Sequence, residues 1–264
     1  MREYFLVFAV ATAITYLATP FVRALAIMAG AFTPLRERDV HTKPVPRLGG
    51  VGIFLGSAAA TLVARQLPYL KGVYSSGQMT GVLLGAGIIC LVGAVDDVRE
   101  LDWMTKLAGQ VLAAGVMAYR GVLMLSVPFF GTATVLPGPV LVAVTVVIVL
   151  FTVNAVNWID GLDGLAAGLC AIAAGTFFVY SYLLSYGYNP PNVFSTATFV
   201  TAATLGCCLG FLPHNFNPAR LFMGDSGSML LGLPLAAATI SMTGNIDPSE
   251  VSGDQVTAAL LPIA

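Results

Sequence analysis

Charge is what this chain has least of. Only 9% of its 264 residues are Asp, Glu, Lys or Arg, where a soluble domain carries about a quarter, so a water-facing surface around a chain of this length is excluded. Histidine is almost absent as well, with His41 and His214 alone, which removes the His/Cys clusters of zinc chemistry. The four cysteines, Cys90, Cys170, Cys207 and Cys208, lie inside apolar runs with no CxxC spacing. They read as free buried thiols and not as a disulfide framework. A net charge of -1 offers no basic surplus to nucleic acid.

What is present is apolar sequence in long runs. The chain is 57% hydrophobic, its mean hydropathy is +0.86, and its runs approach the roughly 20 residues a membrane helix needs. They lack the polar-in alternation of an outer-membrane barrel. The expected fold is therefore all-α, one polytopic transmembrane bundle over residues 1–264. Spans are expected near 4–22, 48–63, 79–95, 106–119, 140–151, 165–184, 195–212 and 229–240, with a ninth beginning near Thr257. The first has no small-residue cleavage site after it and reads as an anchor. From Arg23 to Arg47 the expectation is a basic loop with Arg36, Arg38, Lys43, Arg47 and three prolines, Pro34, Pro44 and Pro46, which oppose a continuous helix. Between Gly121 and Pro139, turn residues and short β-prone pieces predict a small hairpin. The chain stops at Ala264 inside an apolar segment, so the expectation is a fragment of a bundle of ten or eleven spans.

Polar residues gather at the ends of these runs. The stretch NAVNWIDGLDGLAAG places Asn154, Asn157, Asp160 and Asp163 in steps of three, on one face if the backbone is helical, while Gly161 and Gly164 leave room for a break. The plain alternative is one helix end and the next helix's cap. Asp96 and Asp97 close the third run, where adjacent acids repel and oppose the helix macrodipole unless a cation or a hydrated loop relieves them. Alternate crossings put the loops after the first, third, fifth and seventh spans on one face, with Arg23, Arg36, Arg38, Lys43, Arg47, Arg99, Lys106 and Arg220, eight of twelve basic residues. The positive-inside rule makes that face cytoplasmic and the amino terminus external. Asp96, Asp97, Asn157, Asp160, Asp163, Asn215 and Asp225 share it.

Carboxylates and carboxamides beside Lys and Arg, without His or Cys, describe a site for a hard cation, Mg²⁺ or Mn²⁺, on phosphate oxygens. The GDSG of FMGDSGS also surrounds the nucleophile of trypsin-like proteases, but a soluble all-β framework is missing. An ion-coupled transporter would want acids at mid-span. These acids stand at span ends.

Taken together, PRLGG (Pro46 to Gly50), VGAVDD with Lys106 downstream, NAVNWIDGLDGLAAG and NFNPARLFMGDSGS resemble the polyprenyl-phosphate N-acetylhexosamine-1-phosphate transferases, glycosyltransferase family 4. PRLGG and NWIDGLDG look most like the undecaprenyl/decaprenyl-phosphate GlcNAc-1-phosphate branch; the phospho-MurNAc-pentapeptide branch is the alternative. The resemblance implies transfer of sugar-1-phosphate from a UDP-N-acetylhexosamine to a polyprenyl phosphate at the cytoplasmic face of a bacterial plasma membrane, with release of UMP. A homodimer is compatible with it. By motif, Asn157 and Asp225 are similar to the family's Mg²⁺ ligands. Asn154, Asp160, Asp163, Asn215 and Phe222 resemble its uridine and substrate contacts. Lys106 resembles the phosphate-binding lysine, and Asp96 and Asp97 the acidic pair that positions or deprotonates the lipid phosphate. The family also carries a His-rich loop after the ninth span. His214, which precedes NFNP, is not its counterpart, and residues 1–264 by themselves are expected to have weak activity or none.

Overall fold

The computed structural model describes residues 1–33, 44–74, 77–124, 126–129, 132–135, 137–187 and 195–243. Nine helices and one hairpin occur among them: α1 (Arg2–Met28), α2 (Gly49–Ala64), α3 (Pro68–Tyr74), α4 (Gln78–Arg99), α5 (Trp103–Tyr119), β1 (Ser126–Phe129), β2 (Thr132–Val135), α6 (Gly138–Ile159), α7 (Leu165–Gly187), α8 (Ser195–Asn215) and α9 (Gly224–Thr243). Each of the eight expected runs inside this range is a helix. The ninth run, like Arg36, Arg38, His41 and Lys43, lies outside the described residues.

Among the described residues five helices are long and apolar enough to cross a membrane: α1, α4, α6, α7 over Leu165–Ser185, and α8 over Thr196–Asn215. At 16 and 17 residues, α2 and α5 fall short of the roughly 20 that a perpendicular crossing takes. Three readings need correction. The first helix does not stop at Val22: it runs to Met28 through Pro20, and Arg23 on its flank donates to the Arg220 carbonyl at 3.0 Å. The short α3 was not expected. It forms because Glu3 accepts from the first-turn amides of Tyr69 and Leu70 at 3.1 and 3.0 Å, supplying a cap from another helix. The fourth helix begins three residues before Lys106, where Asp102 caps it by accepting from the Met104 and Thr105 amides. The hairpin between Gly121 and Pro139 is present, with β1 antiparallel to β2 and Phe129 opposite Thr132.

The bundle is arranged around α9, which packs on α4, α6, α8 and α2, while α1 lies against α2 and α8, and α5 against α4 and α6. From Ser226 to Leu233 every residue of α9 is buried, so this helix has no solvent or lipid face. Backbones meet closely through small residues: a Cβ on Gly93 would come within 2.5 Å of the Ser226 Cα, and one on Gly232 within 2.5 Å of the Val153 Cα. Such contacts let helices associate where lipid removes the hydrophobic drive between them. The outward surface is apolar, with Phe5, Phe21, Phe151 and Ile172 all at least 70% exposed. Both tryptophans, Trp103 and Trp158, are exposed at one pole of the bundle, the pole where α1, α4 and α6 end and α5 and α9 begin, as interfacial anchors do.

Candidate active site

The polar pole begins with two extended segments. Phe222 donates its N–H to the Pro46 carbonyl at 2.9 Å, and Gly49 and Gly50 donate theirs to Phe222 and Met223 at 3.1 Å. PRLGG and LFMG thus form a short parallel ladder with Arg47 beside Phe222. A Cβ on Gly50 would collide with the Ser226 backbone, so PRLGG requires glycine there for the approach itself. Gly224, at φ 70, adopts the left-handed turn that starts α9 directly over the Asp97 carboxylate.

That turn explains the adjacent acids. Asp97 is 1% exposed; its Oδ1 accepts from the Asp225 amide at 2.9 Å and its Oδ2 from the Ser226 amide at 3.1 Å. A carboxylate that opposes the dipole of its own helix caps the positive end of another. Asp96, 5% exposed, accepts from the Leu101 amide at 2.7 Å and pairs with Lys106 Nζ at 2.7 Å. The hydrated-loop alternative therefore fails for both residues. Lys106 reaches Asp225 Oδ2 at 3.0 Å as well, so its ammonium ties α4, α5 and α9 together. Asn157 completes the cluster from α6, donating Nδ2 to Asp225 Oδ1 at 3.1 Å and to Ser228 Oγ at 2.9 Å. Arg47 approaches from the ladder, donating Nε to the Asp97 carbonyl at 3.0 Å.

The run Asn154 to Asp163 divides. The helix ends at Ile159, with Asp160 as its C-cap at φ -74, ψ 67, so Asp163 leaves the face that Asn154 and Asn157 share. Asp163 Oδ2 accepts from Asn217 Nδ2 at 3.0 Å and from the Ala219 amide at 2.9 Å. Asn215 accepts from the Gly164 amide at 3.1 Å and donates to the Leu221 carbonyl at 3.0 Å. Together they hold the turn after α6 against the segment that carries Phe222. Asn154 points away from the pole, toward Gln110. Asp160 remains open: its carboxylate has no hydrogen-bond partner among the described residues, and the residue is half-buried. Burial, with the charges of Asp225 and Asp97 next in weight, pushes its carboxyl up to about 7.

The donor set fits a small hard cation. Among the described residues Asn157 Oδ1 accepts no hydrogen bond, because the Asp225 carboxylate, an acceptor only, fixes the amide nitrogen on its own side. No group of three or more His, Cys, Asp or Glu residues suited to a metal occurs among the described residues. Mg²⁺ is commonly held by one or two protein oxygens with water and phosphate completing its shell, which matches Asp225 with Asn157. Sequence reasoning missed Gln110, Arg47's contact with Asp97, and the Ser226 and Ser228 contacts. Gln110 was signalled by being an amide inside an apolar run four residues after Lys106.

Residues 79–243 match glycosyl transferase family 4. The chain is 44% identical to the decaprenyl-phosphate N-acetylglucosaminephosphotransferase of Mycolicibacterium smegmatis, over 99% of this chain and 66% of that protein. It is 38% identical to the probable undecaprenyl-phosphate N-acetylglucosaminyl 1-phosphate transferase of Bacillus subtilis over 84% of this chain and 58% of the relative. It is also 38% identical to the phospho-N-acetylmuramoyl-pentapeptide-transferase of Desulforudis audaxviator over 77% and 64%. The chain thus spans between 58% and 66% of the length of these relatives.

Proposed function

This chain belongs to glycosyl transferase family 4, and from that premise we propose that it carries the core of an enzyme that transfers GlcNAc-1-phosphate from UDP-GlcNAc to a polyprenyl phosphate and releases UMP. The observation that carries the reading is the Lys106 ammonium held between Asp96 and Asp225, with Asn157 behind Asp225. Such a cluster binds phosphate and tolerates the added charge of a metal. Asp225 and the Asn157 carbonyl are the proposed ligands of Mg²⁺ or Mn²⁺, which when bound neutralises charge on the pyrophosphate.

The oxygen of the lipid phosphate attacks the β-phosphorus of the donor, its new O–P bond forming as the bond from that phosphorus to the UMP oxygen breaks. A phosphate monoester has a second pKa of about 6, so the nucleophile is mostly dianionic at neutral pH and needs orientation more than deprotonation. Lys106 offsets charge on the transferring group. Asp96 holds Lys106, and Asp97 holds the start of α9, so the acidic pair serves to position. Asp160 is the candidate acceptor for the uracil N–H, and Phe222 offers its ring to the base. Asp163 and Asn215 keep those two segments together.

All eight apolar helices other than α3 are proposed to lie in the membrane, with the Lys106 pole cytoplasmic and the amino terminus outside. Arg23, Arg47, Arg99, Lys106 and Arg220 fall at that pole, and Arg2, Arg65, Lys71 and Arg120 at the other. The relative of pentapeptide-transferase name sustains a second donor, UDP-MurNAc-pentapeptide. Competition between the two donors decides, measured on the full-length gene product with Mg²⁺ and again with EDTA. We expect UDP-GlcNAc to be preferred by roughly tenfold to a hundredfold in kcat/KM, and EDTA to stop turnover. Preference for the pentapeptide donor moves the protein to the other branch, and undiminished turnover in EDTA removes the metal.

A further inference from the structure

Gln110 is 3% exposed, a carboxamide where Ala113 and Ala114 of its own helix and Val153 of α6 are buried and apolar. Its Oε1 accepts from Asn154 Nδ2 at 2.8 Å, and its Nε2 donates to Asn154 Oδ1 at 3.4 Å and to Met229 Sδ at 3.2 Å. The remaining N–H of Asn154 goes to the Leu150 carbonyl at 2.7 Å. Every amide donor of the pair is therefore used inside the protein, and Asn154 has none left for a substrate.

The three partners repeat the site one helical turn below it. Gln110 follows Lys106 by four residues, Asn154 precedes Asn157 by three, and Met229 follows Asp225 by four. Residues at those spacings share a helix face. The α5, α6 and α9 faces that meet at Lys106, Asn157 and Asp225 thus meet again at Gln110, Asn154 and Met229. Rotating or sliding α5 against α6 and α9 far enough to part Lys106 from Asp225 would also part Gln110 from Asn154 and Met229 and leave two buried carboxamides unpaired, which the apolar surroundings penalise. Apolar side chains could fill the space equally well without selecting one rotation.

We propose that Gln110 is a positioning residue for the transfer, joined to Asn154 as a clasp that sets the register in which Lys106 and Asn157 meet Asp225, and that Asn154 acts from behind the site and not on the substrate. The proposal rests on the transferase reading. Misplacement of about 1 Å can lower turnover by roughly a hundredfold, so Gln110→Leu in the full-length protein should reduce kcat on that scale while the KM for UDP-GlcNAc stays within about threefold. The double variant Gln110→Leu/Asn154→Leu should regain the melting temperature of the parent and leave kcat low. The exchanged pair Gln110→Asn/Asn154→Gln should recover kcat to within about tenfold, since one clasp is remade. Normal kcat in Gln110→Leu, recovery of kcat together with melting temperature in the double leucine variant, or a rise in KM without a fall in kcat would each overturn the proposal. A parent without turnover would refute the transferase reading instead. The clasp would then be judged by amine labelling of Lys106, followed on its own peptide: Gln110→Leu should raise its rate severalfold by loosening the ammonium from Asp96 and Asp225, and an unchanged rate would overturn it.

Discussion

Two carboxylates with the same surroundings in sequence have different work in the folded chain. Asp97 and Asp160 both stand at helix C-termini beside apolar runs, yet Asp97 has its two oxygens filled by the amides that open α9, whereas Asp160 has no such donors and its carboxyl is pushed up to about 7. The sign of the resulting pH effect follows. A folded-state value above that of the unfolded chain means the folded protein binds more protons, so Asp160 subtracts stability as pH rises from about 4 through about 7. If it accepts the uracil N–H as a carboxylate, the stronger acceptor, donor affinity should run the other way. We predict that Kd for UDP-GlcNAc weakens by up to about tenfold per pH unit below about 7, and that Asp160→Asn flattens this dependence. A parent whose Kd is level between about pH 6 and about pH 8 removes Asp160 from the uridine contact.

At the scale of elements, the apolar runs made the helices legible, since a backbone in lipid must satisfy its own hydrogen bonds. What could not be read was whatever depends on another element's polar group. The cap on α3 belongs to Glu3, sixty-six residues from Tyr69 in sequence. The termination of α6 at Ile159, which took Asp163 off the shared face, is braced by Asn215 through Gly164. The gathering of acids at one pole was visible because span ends alternate sides. The assignment of Asn154 to a substrate contact was not secured by that pattern, because steps of three place a residue on a face without saying how deep it lies. Helix spacing supplies another test. Gly93 admits the α9 backbone at the turn that carries Asp225, so Gly93→Ala should cost about 1 to 3 kcal/mol of stability and reduce turnover by parting Asp97 from the Asp225 and Ser226 amides. Among the described residues nothing lies within 4 Å of where a Cβ on Gly115 of α5 would sit, and Gly115→Ala should be neutral or gain up to about 1 kcal/mol. Thermal unfolding of the two variants separates them; equal melting temperatures would show that the α4 and α9 backbones do not need this closeness.

Across the whole molecule, the apolar surface and the polar interior pole together suit the proposed reaction, whose substrates are half in lipid and half in water. Exposed Phe, Ile and Val side chains cover the flanks, and in the proposed reaction a polyprenyl chain would stay in the bilayer while its phosphate reached Lys106. On the proposed reading, the nucleotide sugar arrives from water at the same pole. That division of labour predicts which bond of the donor is cut. The decisive measurement uses the full-length protein, polyprenyl phosphate and UDP-GlcNAc labelled on the β-phosphate, with the Asp225→Ala and Lys106→Met variants beside it. The account predicts that the label moves into the lipid fraction as UMP appears, that Asp225→Ala abolishes the transfer, and that Lys106→Met lowers its rate by about a hundredfold to a thousandfold. Label remaining with the nucleotide while sugar passes to the lipid, or transfer undiminished in both variants, would contradict it.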